Sequence, residues 1–578
     1  MNADFREVWC VDFEYSQSEG EQPKPICMVA RELLSGRETR LRQPELRKVS
    51  TQPYIFDEEA LFVAYGAVAE LRCHLALNWQ LPIAILDLHA EFRVLTNGRV
   101  DAQGASLLAA CRYYGVATLD EGAKQHMHAL AIRGGHFTEQ ELEMLEAYCA
   151  SDVDALASLF RVMYSSIDLP RALIRGRYLR ALSQVEARGL PIDTVALNSF
   201  RDHWPELQEM LIRTLDAPTG VYRDHSFSSA EFGRWLAQKL ICWPRAASGK
   251  LKLDDETFKA MSLTHPDIAQ LRELRKTLST MRRFDMVAGE DGRSRASLKP
   301  WQARTGRNQP STTRFVFGLP IWMRGFLRPQ PGRALSYVDW SQQEFGIAAA
   351  LSEDDRMLEA YTSGDPYLAF AKQAGVVPNR ATKESHPCER DRFKACTLAV
   401  QYGMGEDSLA ARIGQSPAHA ACLLRHHKNT YRTFWSWSDR VWETALCQRK
   451  LSASFGWAIH YTGPMNERSV RNFPMQANGS EMMRIACFLA VEAGVQVCAT
   501  VHDAFVIEAA ACEIEEAERI MQNCMAEASH LVLDGFCLRS DAKRVEYPER
   551  FSEQKGQRMW QQVNDLLRSV CAGSQDEM

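Results

Sequence analysis

The sequence predicts a mixed α/β protein made of several domains. At 578 residues the chain exceeds what one hydrophobic core normally supports, and about three or four structural units are expected. Its hydrophobic fraction of 46% and charged fraction of 24% are ordinary for globular proteins. Strand-like apolar runs alternate with segments of helical periodicity. These features exclude the disordered, collagen-like and fibrous classes.

The amino-terminal residues "MNADFREVWCVDFEY" carry acids where a secretory signal needs a basic segment followed by an apolar one. No apolar run is long enough to span a bilayer, so we expect a cytoplasmic protein without a membrane partner. The 16 cysteines form no C-x-x-C pair, which favours reduced core thiols over a disulfide framework or a zinc ribbon. A bound metal ion would therefore have oxygen ligands.

The first predicted element is a strand, "EVWCVDFEY", which carries Asp12 and Glu14. Side chains alternate along a strand, so both carboxylates fall on the same side. A helix is predicted over about 58–79, and a longer helix follows Thr138, whose spacing to Glu141 is that of a capping box. The segment "SSIDLP" is typical of a linker and places a domain boundary near residue 168.

Helical segments follow this linker to about residue 300. Residues 271–307 hold ten Lys and Arg against four Asp and Glu, although the net charge of the whole chain is −5. Such a run is either a solvated helix face or a track for nucleic-acid phosphates. Strands and turns are predicted from about 300, a helical block from about 386 to 450, and a strand-turn-strand unit in "VCATVHDAFVIEAA".

Two distant aspartates are candidate metal ligands. Asp339 ends the strand-like run "RALSYVD", and Asp503 lies in the turn of the strand-turn-strand unit. A buried carboxylate needs a cation or strong hydrogen-bond donors. Two carboxylates bridging a pair of Mg²⁺ ions about 3.5 to 4 Å apart suit in-line phosphoryl or nucleotidyl transfer. The alternative is that each aspartate is a helix cap or a turn residue.

A helix between these aspartates carries cationic side chains followed by an aromatic one, in the order of the triphosphate and the base of a nucleotide. In "ERDRFKACTLAVQYGMG", residues Arg390, Lys394, Leu398 and Tyr402 recur every four positions and share one helix face. The cations suit a triphosphate and the tyrosine suits a base. An amphipathic helix with a solvated basic end is the alternative.

Three motifs resemble those of family A DNA polymerases, the class of bacterial DNA polymerase I. They are "DWSQQEFG", "RDRFKACTLAVQYG" and "VHDAF", in the family's order. The connecting signatures "VEARGLPID", "ARTGR" and "RNFPMQANGSEMM" extend the resemblance over about residues 170 to 545. The resemblance implies that Asp339, Asp503 and the backbone carbonyl of Trp340 bind metal, and that Lys394 donates a proton to pyrophosphate.

The same resemblance implies two further sets of contacts. The incoming nucleotide would be bound by Ser341, Gln342, Glu344, Arg390, Lys394, Leu398 and Tyr402. Primer or template would be contacted by Arg307, Asn472, Gln476 and His502. Glu344 matches the family's steric gate, which leaves no room for a 2′-hydroxyl, so deoxynucleotides are the expected substrates. Departures from the family pattern are Leu398 for an aromatic residue, Gly346 for arginine and Ala504 for glutamate.

A second resemblance concerns the amino-terminal acids. Asp12, Glu14, Glu70, Tyr148 and Asp152 resemble the set of the DEDDy 3′–5′ exonucleases, in which four acids hold two metal ions and a tyrosine orients the attacking water. Glu70 stands in the usual aspartate position, and a longer side chain can still reach a metal ion. We expect an active proofreading site. The alternative is a structural relic with surviving surface acids.

Together these resemblances imply an RNase H-like exonuclease domain over 1–168 and a right-hand polymerase over 169–578. The thumb is expected over about 169–300, the palm over about 301–385 and 451–578, and the fingers over about 386–450. The expected activity is primer extension with dNTPs and Mg²⁺ (or Mn²⁺) on a DNA template, with proofreading. We expect no 5′-nuclease domain, a monomer, a phage replicative role in the host cytoplasm, and a processivity partner that the sequence does not identify.

Two other functions remain open from the sequence. A single-subunit RNA polymerase shares the two aspartates and the helix that carries Lys394 and Tyr402. Glu344 and the amino-terminal acids argue against it and favour DNA synthesis. A non-catalytic nucleic-acid-binding protein descended from a polymerase is the other alternative, and the retention of Asp339, Lys394 and Asp503 argues against it.

Overall fold

The structure is a computed structural model that describes residues 5–55, 57–117, 121–262, 264–282, 284–401 and 403–576. The described residues form both strands and helices in each half of the chain, so the predicted mixed α/β class is confirmed. The described helices include none with both the length and the hydropathy that a membrane span requires.

The amino-terminal part is a five-stranded sheet with helices on both faces. Its elements are β1 (Glu7–Ser16), β2 (Lys24–Glu32), β3 (Glu38–Arg42), β4 (Ala60–Ala64), α1 (Val68–Ala76), β5 (Ala84–Asp87), α2 (Leu88–Thr96), α3 (Leu107–Tyr114), α4 (Glu121–Arg133) and α5 (Glu139–Met163). The strand order is β3-β2-β1-β4-β5, with β1 antiparallel to β2 and parallel to β4. Helix α5 packs against β1 and β2.

The predicted helix over about 58–79 is partly wrong. Residues 60–64 form strand β4, and the helix begins only at Val68. All five β4 residues are buried because the strand lies between β1 and β5 in the sheet, with both pairings parallel. A strand buried on both faces is uniformly apolar and lacks the alternation that distinguishes a strand from a helix. The capping box of α5 is confirmed, since the Glu141 backbone N–H donates to Thr138 Oγ1 at 3.2 Å.

Helix α6 (Leu169–Arg188) joins the two halves of the chain. It packs against α1 and β5 on one side. Gly176 lies so close to the Ile85 backbone carbonyl that a Cβ atom there would clash with it. Beside this contact, Arg175 donates to both carboxylate oxygens of Glu91 at 2.6 and 2.7 Å, and both side chains are buried. The halves are therefore held together by a close backbone contact and a buried ion pair.

Small strands and helices follow α6. They are β6 (Leu190–Pro191), α7 (Thr194–Asp202), α8 (Trp204–Leu215), β7 (Tyr222–Arg223), β8 (Ser226–Phe227), α9 (Ser229–Gln238), α10 (Asp255–Met261), α11 (Pro266–Met281) and β9 (Arg293–Ser294). Two short 3₁₀ helices, Val316–Gly318 and Ile321–Phe326, lead to the second sheet.

The second sheet is antiparallel and carries the predicted strand "RALSYVD". Strand β10 (Arg333–Trp340) is followed by α12 (Gln343–Ser352), α13 (Asp355–Thr362), α14 (Pro366–Gln373), α15 (Pro387–Gln401), α16 (Glu406–Ile413), α17 (Pro417–Thr430), α18 (Arg432–Gln448), β11 (Lys450–Ser452), β12 (Ala458–His460), α19 (Glu467–Glu492), β13 (Gln496–Val501), β14 (Ala504–Ala510), α20 (Ile514–Val532), β15 (Ser540–Glu546) and α21 (Gln554–Asp576). The strand order is β13-β14-β10-β15. The predicted helical block and the strand-turn-strand unit are both confirmed.

Candidate active sites

Folding brings Asp339, near the end of β10, beside Asp503 in the turn that precedes β14. Asp339 pairs with Ala504 in the β10–β14 register, so Asp503 lies one residue beyond it in the turn. The Trp340 backbone N–H donates to the Asp503 carbonyl oxygen at 3.2 Å. His502, with φ of 54°, makes the turn between β13 and β14. Two residues separated by 163 others along the sequence therefore share one edge of the sheet.

A third carboxylate, which sequence reasoning missed, lies beside them. Asp541 on β15 pairs with Asp339 in register, and the Ser341 hydroxyl donates a hydrogen bond to it. We call Asp339, Asp503 and Asp541 the C-terminal acid site. The stretch around Asp541, "LRSDAKRVE", has no apolar alternation that would have predicted a strand. Only the β10–β15 pairing reveals this residue.

The electrostatics of the C-terminal acid site suit a cation. Burial, followed by the charges of Asp503 and Asp541, raises the pKa of Asp339 to about 6. Burial also raises the pKa of Asp503, while Arg307 and His502 act in the opposite direction. Repelling carboxylates that lose solvent are stabilised by a divalent ion. The set offers oxygen donors only, which fits Mg²⁺ or Mn²⁺.

The motif after Asp339 turns sharply into a helix. Gln342 has a left-handed backbone with φ of 49°, and α12 begins at the next residue. Glu344 therefore lies in the first turn of α12, where its carboxylate accepts a hydrogen bond from Arg307 at 3.2 Å. Arg307 and Glu344, predicted to contact DNA and nucleotide respectively, thus form an ion pair. Ser341 is buried.

Two departures from the family pattern have a visible packing environment. Gly346 is buried in α12, where a Cβ atom would clash with Leu538 and lie 2.9 Å from Tyr361 Cε2. Tyr361 is fixed because its hydroxyl donates to the Ser341 carbonyl at 3.0 Å and accepts from the Arg539 backbone N–H at 2.9 Å. Ala504 is fully buried opposite Asp339. No larger side chain fits at residue 346 without a shift of its neighbours.

Helix α15 carries the predicted triphosphate-binding cations. Arg390 forms ion pairs with Asp365 and Asp391, and its guanidinium lies 5.6 Å from the ring centroid of Tyr367. The exposed Lys394 ammonium lies 5.6 Å from the same ring. Arg390 is therefore paired with carboxylates near its own helix and not with Asp339 or Asp503. Leu398 is half-buried on this helix, and Tyr402 lies outside the described residues.

Three of the four predicted DNA contacts line two cavities. A cavity of about 540 Å³ is lined by Arg307 and His502, together with Lys299 and Ser311. Asn472 on α19 lines a different cavity, of about 430 Å³, with Gly403, Met404, Arg468 and Arg471 among its walls. Gln476 lies one helical turn further along α19 and is half-buried.

A third cavity links the C-terminal half to the amino-terminal sheet. It has a volume of about 350 Å³ and shares Lys299 and Ser311 with the 540 Å³ cavity. Its other walls include residues 17–20, directly after β1, and Arg72 of α1. The two cavities therefore adjoin at Lys299 and Ser311, and we call them the adjoining cavities.

The sequence left open whether the basic segment 271–307 is a solvated helix face or a track for nucleic-acid phosphates, and its cations have different environments. Arg272 and Arg293 are paired with Asp255 and Glu508, so these charges are structural. Lys299 and Arg307 line the 540 Å³ cavity instead. The local positive charge is therefore only in part available to phosphates.

The amino-terminal acids converge where the central strand β1 packs against α5. One carboxylate oxygen from each of Asp12, Glu14 and Asp152 lies within 4.8 Å of the others. Glu70 stands outside this trio, but it is buried, and burial followed by the charge of Asp12 raises its pKa. We call these four residues the N-terminal acid site. Tyr148 is buried one turn before Asp152 on α5.

Unpartnered oxygens show that the N-terminal acid site fits a cation. Asp12 Oδ2 and Glu70 Oε2 are buried without a hydrogen-bond partner. Burial and then the charge of Asp152 raise the pKa of Asp12 to about 7, and burial and then Asp12 raise the pKa of both Glu14 and Glu70 well above the usual value. Burial and the Asp152 charge also raise the pKa of Tyr148. Divalent ions would relieve this repulsion.

A lysine in the same place was missed by sequence reasoning. Lys124 Nζ donates to Asp152 Oδ2 at 3.0 Å and Oδ1 at 3.3 Å, and it lies 5.8 Å from the ring centroid of Tyr148. Lys124 belongs to α4, which packs against both β1 and α5. A single lysine in a helical segment carries no sequence pattern that predicts this contact. The contact depends on how α4 packs against β1 and α5.

Comparison with known proteins identifies the family. The model described as "DNA polymerase family A" matches residues 223–537, which is more than half of the chain. The chain belongs to DNA polymerase family A. This family match covers Asp339, the α15 cations and Asp503.

Individual relatives agree with the family. The chain is 24% identical over 429 residues to DNA polymerase I of Chloroflexus aurantiacus, covering 68% of this chain and 45% of that protein. It is 22% identical over 395 residues to the DNA polymerase of Mycobacterium phage L5, covering 64% of this chain and 62% of that protein. The chain spans about half the length of the bacterial family A relatives that it matches.

A solved family A structure has the same fold. The POL domain of Pol1 from M. smegmatis, in complex with DNA primer-template and dNTP, superposes with a TM-score of 0.73 at 17% identity. The match covers 93% of this chain and 95% of that chain, so it includes the amino-terminal sheet. At this identity the similarity establishes the fold.

Proposed function

We propose that this protein is a template-directed DNA polymerase that extends a primer 3′ end with dNTPs and removes mismatched ends with a 3′–5′ exonuclease. The observation that carries the polymerase assignment is the juxtaposition of Asp339 and Asp503 at one sheet edge, within the segment that matches family A. The convergence of Asp12, Glu14 and Asp152 supports the exonuclease.

In the proposed polymerase site, Asp339, Asp503 and the Trp340 carbonyl hold the divalent ions. Such ions activate the attacking 3′-oxygen and neutralise charge on the leaving pyrophosphate. Lys394 and Arg390 bind the triphosphate, and Lys394 donates a proton to the departing pyrophosphate. Arg390 must exchange its bond to Asp365 for phosphate oxygens, because its guanidinium is already paired. Glu344, which Arg307 holds in position, excludes the 2′-hydroxyl.

In the proposed exonuclease site, Asp12, Glu14, Glu70 and Asp152 hold the metal ions and Tyr148 orients the attacking water. The raised pKa of Tyr148 keeps its hydroxyl protonated, so it can donate a hydrogen bond. The strand order β3-β2-β1-β4-β5, with antiparallel pairing from β3 to β1 and parallel pairing from β1 to β5, supports an RNase H-like domain. We propose that a primer end passes between the two sites along the adjoining cavities, which are lined by residues 17–20 after β1 at one end and by His502, next to Asp503, at the other.

We further propose the domain limits 1–168, 169–300 for the thumb, 301–385 and 451–578 for the palm, and 386–450 for the fingers. The break between α5 and α6 and the run of helices α15–α18 support these limits. A phage replicative role is also proposed, and the phage L5 relative supports it.

The test is a gel assay of primer extension and primer degradation with three proteins. Wild type is expected to do both, Asp339→Ala to degrade without extending, and Asp12→Ala to extend without degrading. Comparison of dNTPs with rNTPs tests the alternative of RNA synthesis. Binding of primer-template without extension in the presence of Mg²⁺ would overturn the polymerase proposal, and degradation that survives Asp12→Ala would overturn the exonuclease proposal.

A further inference from the structure

We propose that Lys124 is a built-in counter-ion of the N-terminal acid site, which occupies Asp152 in the absence of metal and must be displaced when a divalent ion binds there. This inference rests on the proposed exonuclease, since it assigns a role to a residue within that site. It predicts that Lys124 sets the concentration of divalent ion at which the site becomes occupied.

The geometry of the Lys124 ammonium supports direct competition. It contacts both oxygens of Asp152, at 3.0 and 3.3 Å, and one of those oxygens belongs to the trio of ligand atoms within 4.8 Å. A carboxylate oxygen that accepts a charge-assisted bond from an ammonium has less electron density to offer a metal ion. Binding of metal at Asp152 therefore requires the ammonium to leave.

The charge balance of the site explains why a counter-ion is needed. Four carboxylates lie together, with buried oxygens of Asp12 and Glu70 that have no hydrogen-bond partner. The charge of Lys124 acts on Asp12 and Glu14 as well as on its direct partner Asp152. Without metal, the ammonium reduces the repulsion that would otherwise oppose folding of β1 against α5.

The ammonium is also free to move. The Lys124 side chain is 30% exposed and the Asp152 side chain is 17% exposed, so the pair lies at the rim of the site rather than within the core. A lysine has a flexible four-carbon stem and a compact charge that water solvates well. Displacement into solvent therefore costs much less than it would for a fully buried pair.

The test measures metal binding rather than catalysis. The protein carrying Asp339→Asn, Asp503→Asn and Asp541→Asn, which removes all three carboxylates of the C-terminal acid site, is titrated with Mn²⁺ while free Mn²⁺ is followed by EPR. Lys124→Met is expected to tighten Mn²⁺ binding about tenfold, because it removes the competitor and leaves an uncompensated negative charge. Lys124→Arg, which keeps the charge, and Lys48→Met, an exposed lysine elsewhere in the same half, are expected to change it little.

A second measurement separates a specific role from misfolding. In EDTA the melting temperature of Lys124→Met should fall relative to the parent, and saturating Mn²⁺ should remove that difference. Unchanged or weaker Mn²⁺ binding by Lys124→Met would overturn the counter-ion role and leave the exonuclease proposal intact. If Mn²⁺ binding does not respond to Asp12→Asn in the same background, both proposals fail.

Discussion

Replacement of Gly346 by alanine tests whether the packing around α12 excludes any side chain at this position. In an open helix, Gly→Ala stabilises by about 1 kcal/mol because alanine has the higher helix propensity. At residue 346, however, the new Cβ would clash with Leu538 and lie 2.9 Å from Tyr361 Cε2. Leu538 and Tyr361 are each only 2% exposed, so neither has free space to move into.

The clash is therefore expected to outweigh the propensity gain. Overpacking of a dense core costs about 1 to 3 kcal/mol. After subtraction of the helix term, Gly346→Ala should lower the free energy of unfolding by up to about 2 kcal/mol. Primer extension should also fall, since Tyr361 holds the Ser341 carbonyl two residues from Asp339.

Urea unfolding of single and double variants measures the effect. Leu538→Ala alone should cost about 2 to 5 kcal/mol through the cavity that it creates. The double variant should be less destabilised than the sum by at least about 1 kcal/mol, because the new methyl group at 346 occupies part of that cavity.

Gly233→Ala is the matched control. Gly233 lies within α9, where a Cβ would meet Leu251 Cδ1 at an ordinary 3.7 Å, so stabilisation is expected. Packing would not be the reason why residue 346 is glycine instead of the family's arginine in either of two cases. One is that Gly346→Ala stabilises the protein as the control does, and the other is that the effects of Gly346→Ala and Leu538→Ala on the free energy of unfolding are additive.

Three other predictions concern different regions. Burial lowers the pKa of His427 to about 3, and its Nδ1 accepts a bond from the Trp435 indole at 3.1 Å, so the neutral ring is the folded form. The unfolded histidine titrates near 6.5, so the free energy of unfolding is highest above that pH and falls by up to about 1.4 kcal/mol per pH unit from there towards pH 3. His427→Phe should flatten this dependence of the free energy of unfolding on pH, measured by chemical unfolding. Arg175→Met should destabilise by about 3 to 5 kcal/mol by leaving Glu91 buried and unpaired, and addition of Glu91→Leu should restore most of that loss in the same assay. Glu344→Ala should lower the preference for dNTPs over rNTPs by about tenfold or more in kcat/KM, and an unchanged ratio would exclude Glu344 as the sugar gate.

The elements that could be predicted were those with a local signal. The strand before Asp339, the turn at Asp503 and the capping box at Thr138 each depend on periodicity or on one short motif. Strand β4 was missed because burial on both faces removes the alternation that identifies a strand.

The site residues that were missed depend on packing between elements distant in sequence. Asp541 enters the C-terminal acid site through the pairing of β15 with β10, and Lys124 reaches Asp152 because α4 packs beside α5. Neither residue belongs to a motif. The pairing of Arg390 with Asp365 was missed for the same reason, since it depends on how α14 lies against α15.

The junction at α6 also constrains how an incorrectly paired primer end could be edited. Gly176 against Ile85 and Arg175 against Glu91 fix one side of the amino-terminal sheet, while Asn97 donates to two backbone carbonyls of the C-terminal half at 2.7 Å each. We expect a junction held at these points to be rigid. On the proposed function, the two catalytic centres keep a constant spacing, so the frayed nucleic-acid strand must travel to a stationary editing centre.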